Sequence, residues 1–117
     1  DHTIRKIVIS SGVVTTLAGT VSDPGSTDAT GTSAKFNKPR GITTDGTNLY
    51  VTGFSNNRIR KIVISSGVVT TLAGSGSPGS VDATGTSAKF WNPTGITTDG
   101  TNLYVTDFSS HTIRKIE

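Results

Sequence analysis

Two histidines, His2 and His111, are the side chains of this sequence best suited to acid–base chemistry or metal binding near neutral pH. Ser109, Ser110 and Asp107 lie just before His111, so the residue types of a serine-hydrolase triad are present. Such a triad needs side chains that the fold holds at fixed positions, and neighbours along one turn rarely meet that need. Two histidines without a third ligand also fall short of a catalytic zinc site. We interpret these residues as polar turn residues and expect neither a catalytic residue nor a metal site.

Two other patterns could bind a small ligand. Residues 74–79 (GSGSPG) have the glycine spacing of a dinucleotide-binding loop, but that loop works only when a helix N-terminus follows it, and none is predicted here. Asp28 and Asp82, each in a DATGT segment, could supply oxygen ligands to a calcium ion, but one acid per loop is too few for a strong site. The sequence therefore predicts no cofactor.

Arg58, Arg60 and Lys61 form a basic segment that recurs at residues 5–6 and 114–115. Nucleic-acid binding ordinarily uses a continuous basic patch with stacking aromatic side chains. Here the cations alternate with isoleucine, and the formal net charge of the chain is only +3. We expect these residues to lie on a solvated outer strand, and we expect no nucleic-acid partner.

The composition favours strands and turns. Ser and Thr make up 35 of the 117 residues and Gly 14, while hydrophobic residues are 32% and charged residues 16%. Val, Ile and Thr favour strands, and strong helix formers are few. No apolar run approaches the ~18 residues that a membrane-spanning helix needs, so no membrane partner is expected. Without cysteine, these residues form no disulfide bond and no thiolate metal site.

An internal repeat of roughly 54 residues dominates the sequence. Residues 4–19 are identical to residues 59–74, and residues 28–62 match residues 82–116 at 28 of 35 positions. The chain therefore holds about 2.1 copies of one unit.

Each copy is predicted to form four short strands. Asp45 and Asp99 begin Asp-Gly-Thr-Asn turns of the kind that joins a hairpin, so we interpret them as hairpin residues rather than ligands. Segments 29–36 and 83–90 could each hold one helical turn at most. Short strands joined by hairpins at this period are typical of a four-stranded antiparallel propeller blade. In the complete copy the predicted strands are residues 41–45, 49–52, 58–65 and 68–72.

Four segments of the middle copy resemble, in this order, the repeat of the NHL-repeat β-propeller family. They are residues 39–42 (PRGI), 45–52 (DGTNLYVT), 56–62 (NNRIRKI) and 67–74 (GVVTTLAG). The resemblance implies an all-β partial propeller over residues 1–117. In this arrangement residues 1–19 are strands three and four of one blade, residues 41–74 are a complete blade, and residues 95–117 are strands one to three of the last blade.

The TTLAG and GTSAKF segments are similar to a bacterial, exported branch of that family, which implies an extracellular or periplasmic location. The two copies are more alike than the blades of most family members. This indicates a recent duplication, or an engineered or excised fragment.

The seven positions at which the copies differ are candidates for binding. They fall between blades or between the second and third strands, and loops on a rigid scaffold often carry binding residues. Trp91 is the best candidate anchor, because a large aromatic side chain in a loop is a typical interface residue. The alternative is that these loops vary because nothing constrains them. The candidate binding residues are Asn37, Lys38, Arg40, Phe90, Trp91, Asn92, Thr94, Asp107 and His111.

Two classes of function remain. The first is a non-catalytic binding or scaffold propeller that presents loops on one face to a protein, a peptide or a glycan. The second is a propeller enzyme of hydrolase or lyase type with a site in the central channel. An enzyme needs unique side chains in asymmetric positions, whereas these copies are nearly the same. We therefore expect a binding module and no enzyme.

Two blades do not close a ring, since propellers have about four to eight. The open blade faces and the unpaired edge of the last sheet predict self-assembly into a closed homo-oligomer. Three chains would give the family's common six-bladed ring and are favoured over two chains, which would give four blades. Residues 13–17 of one chain could complete the last blade of its neighbour, and one copy of TIRKI, within residues 1–7 or 112–117, would then be displaced. The alternative is a piece of a longer propeller.

Overall fold

The computed structural model describes all 117 residues and contains nine β-strands in three antiparallel sheets, which confirms the all-β class. The sheets have two, four and three strands, each in sequence order. The strands are β1 (Ile4–Ile7), β2 (Val14–Ala18), β3 (Pro39–Thr44), β4 (Asn48–Gly53), β5 (Arg58–Val63), β6 (Val69–Ala73), β7 (Pro93–Thr98), β8 (Leu103–Asp107) and β9 (Thr112–Ile116). No helix is both long and apolar enough to cross a membrane.

The middle sheet, β3 to β6, corresponds to the blade that the sequence predicts. Its first strand begins two residues earlier than expected, at Pro39, and its third ends two residues earlier, at Val63. The segments predicted to hold one helical turn contain single 3-10 turns at Gly31–Ser33 and Gly85–Ser87. A third such turn, Phe108–Ser110, was not expected.

The hairpin between β3 and β4 depends on Asp45, as predicted. Its Oδ1 accepts hydrogen bonds from the backbone N–H groups of Thr47 (2.9 Å) and Asn48 (2.7 Å), and Tyr50 donates its hydroxyl to Oδ2 at 2.9 Å. The backbone bonds, and then the tyrosine, lower the pKa of Asp45 from 3.8 to about 2. Asp99 has the same set of bonds and the same lowered pKa in the next blade.

The three sheets stack face to face, and a hydrophobic cluster fills each of the two gaps. The phenylalanine of the preceding connector lies in each cluster, so the connectors form part of the core. The first cluster contains Ile4, Ala18, Ala34, Phe36, Val51, Ile62 and Val69, and the second contains Ile59, Ala73, Ala88, Phe90, Leu103 and Val105. Both faces of the middle sheet are therefore packed against a neighbouring sheet.

The first strands of neighbouring sheets, β3 and β7, approach closely. Thr52 accepts a hydrogen bond from the Gly41 N–H at 2.8 Å and donates its hydroxyl to the Thr94 carbonyl at 2.7 Å. A Cβ atom at Gly41 would overlap that carbonyl, so only glycine fits there.

The expectation of a solvated basic strand is wrong for Arg60, whose side chain is 0% exposed. Its guanidinium donates to Asp28 Oδ1 at 2.7 Å and to the carbonyls of Thr27 and Lys35, both at 2.9 Å, and lies 4.9 Å from the centre of the Phe36 ring. Alternation with isoleucine suggested an outward side chain, but the connector covers that side of the blade as well.

Arg114, 7% exposed, repeats this arrangement in the third sheet. It donates to Asp82, to the carbonyls of Val81 and Lys89, and also to Asp107 Oδ2 at 3.0 Å. The carboxylates considered as calcium ligands are thus partners of buried arginines.

Two isoleucines of the outer sheets are more exposed than the equivalent residues of the middle sheet. Ile59 is 0% exposed between two sheets, whereas its counterpart Ile113 in β9 is 70% exposed. Likewise Ile62 is 0% exposed and its counterpart Ile7 in β1 is 63% exposed. Both copies of TIRKI are strands in the single chain, so the displacement expected for an assembled ring is not seen in one chain.

Candidate binding face

The residues that differ between the repeats lie together at one end of the blades. We name this end, made of residues 37–40, 53–58, 91–94 and 107–112, the variable face. The Asp-Gly-Thr-Asn hairpins are at the opposite end. The strands that support the variable face pair in the same register in both repeats, so its loops start from equivalent, fixed positions.

Trp91 is held through its backbone and exposes its ring. Its N–H donates to Asp107 Oδ1 at 2.8 Å, and its carbonyl accepts from the Ser109 N–H at 3.1 Å. The residue is nevertheless 47% exposed. An aromatic ring on a fixed backbone is a suitable anchor for a partner.

Arg40 and Lys38 are also exposed on this face. The Arg40 guanidinium lies 4.0 Å from the centre of the Phe54 ring, a cation–π contact that restricts the long side chain. His111 is exposed as well, at the end of the turn after β8. The exposed candidates are therefore one tryptophan, two cations and one histidine.

Two of the predicted binding residues are in the core instead. Phe90 is 2% exposed and stacks on Arg114, with 4.8 Å between the guanidinium carbon and the ring centre. Asp107 is 1% exposed and accepts hydrogen bonds from Trp91, Ser110 and Arg114. Neither side chain is available to a partner. Phe90 comes directly before the loop residue Trp91 but packs in the core, and the Asp107 carboxylate at the end of β8 is buried.

Asn92 joins two loops of the variable face. Its N–H donates to Asn57 Oδ1 at 2.9 Å, its amide donates to the Phe54 carbonyl at 3.0 Å, and its own Oδ1 accepts from Ser109 at 2.8 Å. Asn57 and Asn92 both have positive φ, 55° and 54°, a conformation that asparagine tolerates. The sequence did not reveal this role, since the partners are 35 residues apart.

His2 occupies the position equivalent to Asn57 and makes the equivalent bond. Its Nδ1 accepts from the Lys38 N–H at 3.0 Å, as Asn57 Oδ1 does from Asn92. His111 shares their left-handed backbone, with φ of 58°, but its side chain has no hydrogen-bond partner in the chain. The histidine position is thus a link between successive blades.

The residues of the possible triad do not form one. Ser109 donates to Asn92, and Ser110 donates to Asp107 Oδ2 at 2.6 Å, so neither serine is paired with His111. No cluster of three or more His, Asp and Glu side chains occurs in the chain.

The two remaining candidates support the loops. Thr94 shares a hydrogen bond with Thr106 at 3.0 Å between their hydroxyl oxygens. The Asn37 carbonyl accepts from the Ser55 N–H at 3.4 Å, which ties the connector to the loop after β4.

Stacked antiparallel sheets of up to four strands, with adjacent first strands and loops gathered at the ends, define the chain as a set of β-propeller blades. No protein-family model matches the chain. It is similar to NHL repeat-containing protein 2 of Homo sapiens, with 32% identity over 128 aligned residues that include all of this chain and 18% of that protein. It is also similar to the Gallus gallus protein of the same name, at 34% identity. These relatives confirm the resemblance to the NHL-repeat family, and the chain spans about a fifth of the length of the curated relatives it matches.

Two solved structures have the same fold. A protein of unknown function from Bacteroides thetaiotaomicron superposes with a TM-score of 0.89 at 27% identity, over 97% of this chain and 29% of that one. An auxiliary nutrient binding protein from Bacteroides ovatus superposes with a TM-score of 0.81 at 26% identity, over 99% of this chain and 32% of that one.

Proposed function

We propose that this chain is a non-catalytic propeller module that binds a partner through the variable face. The observation that carries the proposal is the exposed ring of Trp91 on a backbone fixed by the buried Asp107 carboxylate. The neighbouring loop adds exposed Lys38 and Arg40, and Asn92 links the two loops. A rigid aromatic anchor beside cations suits a glycan, a peptide or a protein with acidic groups.

The likeness to a nutrient binding protein supports binding as the function. The alternative is a propeller enzyme with a site in the central channel. Against it, the repeats are nearly identical, and the sequence differences that do occur place Asp107 and Asn92 in structural contacts. Metal analysis of the purified protein tests this point, since a stoichiometric metal would favour the enzyme.

Trp91 is the single tryptophan, so its fluorescence reports directly on the proposed site. Glycan and peptide arrays identify ligands, whose affinities for the unmodified protein and for the Trp91→Ala variant, which has no tryptophan fluorescence, are then compared by titration calorimetry. The Trp91→Ala variant is expected to bind at least about 30-fold more weakly, a loss of ~2 kcal/mol, with its circular dichroism spectrum unchanged. Ile64→Ala, at the other end of the blade, is the control. Unaltered affinity, or unfolding of the Trp91 variant, would contradict the proposal.

We further propose that the module assembles into a ring of identical chains, with three chains favoured over two. The exposure of Ile113, whose counterpart Ile59 is buried between sheets, supports a covering blade beyond the last sheet. Light scattering after size exclusion measures the mass of the assembly directly. A mass near three times 12.1 kDa supports the six-bladed trimer, twice that mass supports four blades, and a stable monomer refutes assembly.

A further inference from the structure

A groove of about 490 Å³ lies beside the last sheet, between β9 and the connector that precedes β7. One wall is the free edge of β9 with the residue that follows it, Glu117, and the other is formed by Ser80 and residues 82–85 of the connector. Ala73, Ala88 and Phe90 form an apolar floor. The groove therefore runs along the free edge of β9, a place where an extended strand can pair with the sheet.

In the middle sheet the equivalent space is filled by β6 and the turn before it. The Gly31 N–H donates to the Gly67 carbonyl, and the Val69 N–H donates to the Ala29 carbonyl, both at 2.9 Å. Thr71 donates its N–H and its hydroxyl to the Asp28 carboxylate, both at 3.1 Å. The fourth strand is thus bonded to its connector as well as to the third strand.

The same groups are without those partners in the groove. The Gly85 N–H and the Ala83 carbonyl, counterparts of Gly31 and Ala29, have no backbone partner. The Asp82 side chain is 93% exposed, although it pairs with Arg114 at 2.7 Å, whereas the Asp28 side chain is 43% exposed. The last sheet therefore has an unpaired backbone edge and an exposed carboxylate at the place where β6 pairs in the middle sheet.

The chain contains a second copy of that strand. Residues 12–18 read GVVTTLA, as do residues 67–73, and β2 pairs with β1 in the register in which β6 pairs with β5. The partner of β2 is the sequence IRKI, which recurs unchanged in β9. A β9 strand can therefore take the place of β1 beside β2 without altering one cross-strand pair.

We propose that this groove binds residues 12–18 of a second copy of the chain, which complete the last blade as its fourth strand. The proposal rests on the self-assembly proposed above and names the contact responsible. Thr16 of the second copy bonds to Asp82 as Thr71 bonds to Asp28. Val14, 44% exposed in the single chain, becomes buried like its counterpart Val69, which is 1% exposed. This is addition of a strand to a sheet edge, with main-chain bonds for affinity and Val14 for specificity.

Disulfide trapping tests the proposed register, because the chain has no cysteine of its own. Lys61 lies opposite Thr70 in the middle sheet, so Lys115 is expected opposite Thr15 of the second copy. Directly opposed residues on antiparallel strands are ~4.5–5.5 Å apart between Cα atoms, within the range of a disulfide. Under mild oxidation the Thr15→Cys, Lys115→Cys double variant should form chains linked to one another, seen as multiples of 12.1 kDa on a non-reducing gel.

Two control variants share one cysteine each with the test variant. Thr16→Cys with Lys115→Cys shifts the register by one residue and should link much less, since adjacent strand residues point to opposite faces. Lys6→Cys with Thr15→Cys should form a bond within one chain, because those residues are paired in β1 and β2 of the single chain. That bond holds β1 in the place proposed for β9 of another chain, so this variant should run as a single chain on the non-reducing gel. Equal linking in the Thr15 and Thr16 variants, or none in either, overturns the proposed strand seat.

Light scattering of the unmodified chain separates this failure from failure of the proposed assembly. If the chain is an oligomer but shows no register-dependent link, the self-assembly proposal stands and the groove is not its contact. If the chain is a monomer, both the self-assembly proposal and the strand-binding proposal are wrong. Both cysteine positions of the test variant, Thr15 and Lys115, are exposed, so the variant is expected to fold.

Discussion

At the scale of single residues, the arginine before the lysine of the IRKI strand is buried in two of the three sheets, as Arg60 and Arg114, where it binds the preceding connector. Burial lowers the pKa of Arg60, and the adjacent Asp28 carboxylate opposes that shift, so the guanidinium stays charged. It satisfies one carboxylate and two carbonyls of a connector that is about 30 residues away in sequence. The arginine thus fastens the connector to the blade, which in turn places Phe36 in the core.

Arg60→Met should lower the free energy of unfolding by at least about 2 kcal/mol, because the two connector carbonyls and Asp28 lose their donor. Urea denaturation followed by circular dichroism measures the change. Arg5→Met is the matched control, since Arg5 is the equivalent residue in β1 and is exposed, and its effect should stay within about 0.5 kcal/mol. Similar losses in the two variants would show that the bonds of Arg60 contribute little.

At the scale of elements, hairpins and strands follow from local sequence, whereas the burial of the strand faces does not. The turn at Asp45 could be predicted because all its bonds lie within five residues. The burial of Arg60 could not be predicted, because alternation with isoleucine predicts one solvent-exposed face of the strand. The connector that covers this face is remote in sequence. For the same reason Asp107 and Asn92 were predicted to bind a partner, while their contacts lie between loops of the same chain.

The hairpin carboxylates give a pH dependence whose sign is fixed. Asp45 and Asp99 have a folded-state pKa of about 2 against an ordinary 3.8, so they stabilise the hairpins fully above pH 4 and lose that effect as the pH falls toward 2. NMR titration of the side-chain carboxyl carbons should give midpoints near 2. Tyr50→Phe removes one bond and should raise the Asp45 midpoint only. Midpoints near 3.8 for both residues in the unmodified chain would contradict the hairpin geometry.

At the scale of the whole molecule, stability and assembly are expected to be separable. Ile59 and Ile113 are equivalent in the repeat, but Ile59 lies between two sheets and Ile113 on the open face of the last sheet. The proposed ring would bury Ile113 as Ile59 is buried now. The same residue type therefore reports on folding at one position and on association at the other.

Ile59→Asp should unfold the chain, because a charge without a partner is placed in the core. Ile113→Asp should leave the circular dichroism spectrum intact and reduce the light-scattering mass to that of one chain. Thermal midpoints add a check, since the midpoint of the unmodified protein should rise with protein concentration and that of Ile113→Asp should not. An Ile113→Asp variant with the mass of the unmodified protein would place the contact elsewhere.

The close approach of Gly41 to the Thr94 carbonyl, which leaves no room for a Cβ atom, also bears on how many blades a ring can contain. Around a closed ring the wedge angles between successive blades add up to one full turn. Each wedge angle depends on how closely the innermost strands approach while the outer strands remain a full side-chain layer apart. A glycine at that approach permits a wide wedge and hence few blades, whereas a side chain there would separate β3 from β7 and narrow the wedge. In the proposed ring, the number of blades would therefore depend on the missing Cβ atom at Gly41.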